Sequence, residues 1–196
     1  ATLHAVTAAV SLGEVHILVA GLDCGKVAEA ATKIQGVTKV LKAEDQIYQN
    51  GLAENVAPLL VHLSNNYSHI LAPATSNGKN ILPRVAALLD SSQISEIIEV
   101  KDSNTFVRPI YAGNALATVQ SSDTIKIITV RATGFDAANA ENGNAAIENI
   151  EFKTDTKLST YQGSELTKSE RPELTSANII ISGGRGMQSG ENFSLL

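Results

Sequence analysis

The chain has 196 residues, 43% of them hydrophobic, with a formal net charge of -5, one cysteine and no tryptophan. This is enough apolar material for a real core, in one domain with room for part of another. An acidic balance without Trp speaks against nucleic acid, which is bound by basic stripes and aromatic platforms.

Cys24 alone cannot form an intrachain disulfide, so an intracellular setting fits best. No apolar run approaches the roughly 20 residues that span a bilayer, because Glu14, His16 and Asp23 interrupt the candidates. Membrane insertion is therefore not expected. The chain opens at Ala1 in a helix-like pattern, from which a trimmed N-terminus is expected.

In chain order, Leu3, Val6, Thr7 and Val10 recur at helical spacing and stop at Gly13. The β-branched run "VHILVAG", Val15 to Gly21, reads as a parallel strand buried on both faces. Asp23 is placed to cap a helix over roughly Cys24 to Ile34. A strand "KVLKA" near Lys39, a helix from Glu54 to Asn66 and a strand "HILAPA" from His69 follow, and "SNGKN" opens a helix to about Asp90. This alternation predicts an α/β fold with a doubly wound, mostly parallel sheet. After Asp90 the rhythm changes. "EIIEV", "TFVRPIY", "ALATVQ" and "IKIITVR" are separated only by short polar turns, which predicts added antiparallel hairpins. Ala112, Gly113 and Asn114 supply a tight turn between two of them. The small, polar "ATGFDAANAENGNAAIEN" reads as a mobile excursion. "KLSTYQGSELTKSERPELTSA", with Pro172, reads as a linker.

Two loops have phosphate-binding character. Ser182, Gly183, Gly184, Arg185 and Gly186 lie between an apolar strand-like run, Ile179 to Ile181, and a helix start at Ser189 or Glu191. Backbone amides at such a turn attract anions, and Arg185 adds a forked donor. A tight turn with a solvated arginine is an equally open reading. The third glycine of the dinucleotide fingerprint is missing, since Ser189 stands in its place. The second loop, Thr75 to Asn80, places hydroxyls and Lys79 at a strand end, although helix capping by Ser76 or Asn77 explains it as well. Cys24, near a helix start, reads as an ordinary packed residue rather than an activated thiol. His4, His16, His62 and His69 show no metal-ligand spacing, and no carboxylate pair can be assigned acid and base roles, so neither a metal site nor a catalytic residue is expected.

Four blocks of the sequence carry a resemblance: "ILVAGLDCGKVAEAATKIQGVTKVL", "LAPATSNGKNILPRVAALLDSSQISEIIEVK", "TFVRPIYAGNALATV" and "LTKSERPELTSANIIISGGRGMQSGENFSLL". Together they resemble the alpha subunit of electron-transfer flavoprotein, through essentially the whole chain apart from the stretch around Ala137 to Thr160. The resemblance implies an N-terminal domain over 1-165 with an adenine-nucleotide-hydrolase-like fold, its first strand missing before Ala1. It also implies that 166-196 is a linker and the opening of a truncated FAD-binding domain. Arg185 falls on the family's FAD-contacting arginine, with Ser182, Gly183, Gly184 and Gly186 around it, while the remaining flavin contacts lie beyond Leu196. Further implications are FAD in the full-length heterodimer, AMP only in the beta subunit, and an electron carrier without substrate turnover of its own. Its partners would be a beta subunit, acyl-CoA and other dehydrogenases and a quinone oxidoreductase, in a bacterial cytoplasm or mitochondrial matrix. Two competing readings are an adenine-nucleotide-binding module using the 75-80 loop and a PP-loop-like ATP pyrophosphatase. The second is weakened because Gly186 and Met187 replace that motif's Asp and Ser. The region from Thr105 to Val130 is expected to meet a beta subunit or a second copy, since hairpins without helix cover leave apolar area exposed.

Overall fold

A computed structural model describes residues 1-165, 172, 174, 177 and 179-195. Two compact units are present, Ala1–Tyr161 and Gln162–Leu196.

In the first unit, α1 (Thr2–Val10) leads through Gly13, at φ 142, into β1 (Val15–Gly21). Then come α2 (Gly25–Thr32), β2 (Val37–Glu44), α3 (Ala53–Leu63), β3 (His69–Pro73) and α4 (Ser76–Leu88). The later strands are β4 (Gln93–Ile97), β5 (Glu99–Val100), β6 (Thr105–Ile110), β7 (Ala115–Gln120), β8 (Lys126–Val130) and β9 (Ala146–Asn149).

Hydrogen bonding joins these strands into three sheets of three. Two are parallel, in the orders β1-β2-β9 and β3-β8-β4, and one is antiparallel, in the order β5-β6-β7. Mixed α/β architecture with an antiparallel addition agrees with the sequence reading. Helices cover both faces of the parallel strands. Ile128 and Val130 of β8 pack with Ala5 and Ala8 of α1, while Ile127 packs with Ala57 of α3 and Leu82 and Val85 of α4. On β1, Val15 and Val19 join Val6 and α2, whereas Leu18 and Ala20 join Val56 and Leu59 of α3.

Four expectations need correction. The run "IKIITV" is not a hairpin arm: β8 is the central strand of a parallel sheet, and Ile127 through Val130 are buried. Its continuous apolar run suits a strand covered on both faces, while β7 alternates as a half-exposed hairpin strand does. "EIIEV" is likewise divided, with β4 parallel to β8 and only β5 antiparallel to β6. The register shift between Ile94 and Ile97 marks that change, and Glu96 there has φ 56.

The supposed excursion contains β9, which pairs with β2 in parallel, and the Gly143 and Ala145 amides donate to the Lys33 and Thr32 carbonyls. All four β9 side chains are exposed. Backbone pairing rather than apolar pattern places this segment. Lastly, Asp23 is not the α2 cap. Cys24 holds that position at the start of α2, and its amide donates to the Glu44 carboxylate across 3.1 Å.

In the second unit, Ile179 to Ile181 are exposed and form no strand; Ile179 is 83% exposed. No neighbouring strand among the described residues of that unit offers their amides a partner, and a lone strand is unstable in water. The 166-178 part of the expected linker falls mostly outside the described residues.

Candidate functional site

The glycine loop of the second unit is organised by one tight turn. Gly184 is extended, and a 3-10 turn follows over Arg185–Met187, closed by the Met187 amide donating to the Gly184 carbonyl at 3.0 Å. The glycines do different jobs. A Cβ on Gly183 would lie 2.6 Å from Met187 Cγ and 2.9 Å from the Phe193 ring, so this position must stay small. A Cβ on Gly184 or Gly186 would meet nothing within 4 Å. Those two residues therefore leave an open backbone face, with Ser182 and Arg185 exposed beside it.

An accessible backbone next to a planar guanidinium is chemically suited to an anionic group such as a pyrophosphate. The arrangement fits that part of a dinucleotide cofactor. The expected helix behind the loop is only a short 3-10 segment, Gly190–Leu195, so a long helix dipole adds nothing here.

The loop at Thr75 is built differently. Thr75 Oγ1 accepts from the Gly78 amide and caps α4, the role that the sequence reading gave to Ser76 or Asn77. The Lys79 ammonium pairs with Glu96, whose carboxyl is held below its usual range chiefly by that lysine. A Cβ on Gly78 would sit 2.1 Å from the Pro73 carbonyl oxygen, so the helix start lies directly against the end of β3. Cap and cation are thus both committed to structure. Glu96 lies on β4, seventeen residues after Lys79, and no local pattern announces the pairing.

Cys24 is buried, and burial with the neighbouring Glu44 charge pushes its thiol up, away from a reactive thiolate. The four histidines serve as fasteners. His4 Nδ1 lies 2.6 Å from the Phe135 carbonyl, and His16 Nδ1 lies 2.7 Å from the Tyr67 hydroxyl. His69 contacts the Ser103 carbonyl at 2.7 Å, and His62 stacks on Phe152. Among the described residues, no group of three His, Cys, Asp or Glu is placed to hold a metal ion. No helix among them is long and apolar enough to cross a membrane.

A family model described as Electron transfer flavoprotein domain matches residues 1-155. The chain belongs to the electron transfer flavoprotein domain family. Its similarity to curated members runs through its whole length. It is 60% identical over 197 residues to the electron transfer flavoprotein subunit alpha of Pseudomonas aeruginosa, covering 100% of this chain and 64% of that protein. It is 48% identical to the mitochondrial alpha subunit of Dictyostelium discoideum, covering 100% of this chain and 60% of the relative. The alpha subunit of Paracoccus denitrificans is also 48% identical, with 100% and 63% covered. The chain thus spans less than two thirds of the length of these electron transfer flavoprotein relatives, which come from bacteria and from a mitochondrion.

Proposed function

We propose that this chain is the greater part of an electron transfer flavoprotein alpha subunit, acting in a heterodimer as a single carrier of electrons. Residues 1-165 form an adenine-nucleotide-hydrolase-like domain that acts as scaffold and interface. Residues 166-196 lead into the FAD-binding region, where Gly183 to Gly186 and Ser182 shape a turn and Arg185 meets the cofactor. The beta subunit completes the particle and holds AMP. Acyl-CoA and other dehydrogenases deliver electrons, and a quinone oxidoreductase removes them, in a bacterial cytoplasm or mitochondrial matrix. The bound flavin supplies the redox chemistry; these protein residues supply binding and orientation.

The observation that carries this reading is the 60% identity across the entire chain to an alpha subunit. The glycine loop supports it, having an open backbone at Gly184 and Gly186 beside an exposed Arg185. The competing nucleotide module at residues 75-80 is disfavoured by the capped Thr75 and paired Lys79.

The test uses the full-length alpha subunit expressed with its beta subunit. Mixed with an acyl-CoA dehydrogenase and its substrate, the bound flavin should be reduced rapidly. Arg185→Ala removes a charge-assisted contact of roughly 1.5 to 3 kcal/mol and should weaken FAD binding about ten- to a hundredfold. Lys restores only part, because it lacks the planar fork. Unchanged FAD retention with a less stable loop would make Arg185 a turn residue only, while a flavin that no dehydrogenase reduces would refute the carrier reading.

A further inference from the structure

A cavity of about 280 Å³ lies in the first unit where β4, β6 and the turn after β7 meet. It stands near the lower end of ligand-pocket sizes, and because a water's share of liquid volume is only about 30 Å³, it exceeds a single bound water several-fold. Ile94 and Val119 give it an apolar lining that continues into the core cluster around Phe106. Gln93, Arg108 and Asp123, all half-buried, give it a polar one.

The fold leaves part of each of these three groups unused. Arg108 stands opposite Ala117 on β7, and its Nε donates to the Ser95 carbonyl at 2.7 Å, while its two terminal nitrogens meet no acceptor among the described residues. Asp123 Oδ2 accepts from the Ser92 amide at 2.9 Å and from the Ser121 hydroxyl at 3.2 Å, which leaves Oδ1 without a donor among them. Gln93 Nε2 donates to Ser95 Oγ at 2.9 Å, and Gln93 Oε1 is the one buried side-chain polar atom among the described residues that has no partner. A buried acceptor left unpaired is costly, so it calls for a donor that the protein does not itself provide. Arg108 and Asp123 also carry opposite charges into one small cavity without forming an ion pair with each other. Glu96, whose field reaches Arg108, is paired with Lys79 instead.

We propose that this cavity binds a small zwitterion, a free α-amino acid with a short aliphatic side chain. Its carboxylate takes the terminal N–H groups of Arg108, its ammonium donates to Asp123 Oδ1 and Gln93 Oε1, and its side chain lies against Ile94 and Val119. A carboxylate matches the planar guanidinium in a two-pronged contact, and an ammonium has three donors, enough for both oxygens. An anion alone leaves Gln93 Oε1 unpaired, and a cation alone leaves the Arg108 fork unpaired. Both charges sit on one carbon in a free amino acid, which suits a cavity of this size. None of the flavin-loop residues takes part, so the site stands apart from the carrier reading.

The experiment titrates the full-length alpha subunit, with its beta subunit, with three probes: L-valine, isovalerate, which lacks the ammonium, and isobutylamine, which lacks the carboxylate. Calorimetry and NMR of labelled valine methyl groups read the binding. The result expected is saturable binding of one valine per alpha subunit, with each half-molecule about tenfold weaker or more, the loss of one charge-assisted contact. Asp123→Asn keeps an oxygen for the Ser92 amide and the Ser121 hydroxyl while removing the charge, and Gln93→Met keeps the size while removing the orphan acceptor. Each should weaken valine about tenfold with FAD content and melting temperature nearly unchanged. The comparison of the three probes on the unaltered protein holds even where a variant fails to fold. Isovalerate binding as tightly as valine would overturn the proposal in favour of a plain anion site. Valine that never saturates would overturn it in favour of a cavity holding only water, and valine binding untouched by both variants would place the amino acid elsewhere.

Discussion

Gly78 is decided by its environment rather than by helix propensity. An alanine in an exposed helix interior gains roughly 0.5–1 kcal/mol over glycine. Here the added Cβ would approach the Pro73 carbonyl oxygen to 2.1 Å, and backbone cannot rotate away as a side chain does. Gly78→Ala is therefore expected to destabilise the first unit by about 1–3 kcal/mol, the usual cost of overpacking; an unchanged or increased denaturation midpoint would show that α4 shifts freely. His69 makes a second residue-level prediction. Burial lowers its imidazole pKa, opposed by the bond to the Ser103 carbonyl and helped by the Lys126 charge. The folded state thus favours neutral His69, while the unfolded chain protonates near the ordinary value of about 6.5. Stability attributable to this group is complete above that value and falls as pH drops through it toward the lower folded pKa. Comparing melting at pH 7.5 and 5.5, His69→Gln should show a smaller loss on acidification than the unaltered chain; equal losses would remove His69 from the explanation.

At the scale of elements, the β6–β7 hairpin carries Tyr111 at 80% exposure and Leu116 at 63%, with Ala112 in the left-handed region at its tip. With β8 buried in the parallel sheet, the expected contact surface of residues 105-130 narrows to this hairpin. Exchanging Leu116 for Glu should weaken association with the beta subunit about tenfold or more, the effect of one charge in an apolar contact. Sedimentation and co-purification check it, and a chain that stays monomeric and ignores added beta subunit would contradict it. The legible elements were those whose side chains announce their surroundings. The helical stripe of α1, the β-branched β1 and the strand–helix alternation through α4 all follow from period and composition. The signal separating β8 from β7 was present too, in a continuous apolar run against an alternating one. β9 was not legible, because its exposed side chains carry no apolar pattern, and what places it is backbone pairing with Lys39 to Lys42 and the Lys39–Glu148 ion pair, neither of which a local pattern announces. Neither was the α2 start, where Cys24 holds the cap position without a side-chain cap and its amide is tied to a carboxylate twenty residues away, Glu44. In the candidate site, the open glycines and Arg185 could be named from sequence. The tight packing of Gly183 against Met187 and Phe193 could not, since it depends on how the loop folds back.

For the whole molecule, the first unit has buried apolar clusters on both sides of its parallel strands, whereas the described part of the second has exposed isoleucines and short 3-10 turns. A dinucleotide cofactor needs most of its surface enclosed for tight binding, and one open turn around Arg185 encloses little of it. The electron transfer flavoprotein reading therefore distributes the flavin site over more protein than this chain contains. The visible absorption spectrum after desalting measures this directly. The 196-residue chain should retain far less than one FAD per molecule, while the full-length alpha subunit with its beta subunit should retain close to one; tight flavin at near one per 196-residue chain would contradict the account.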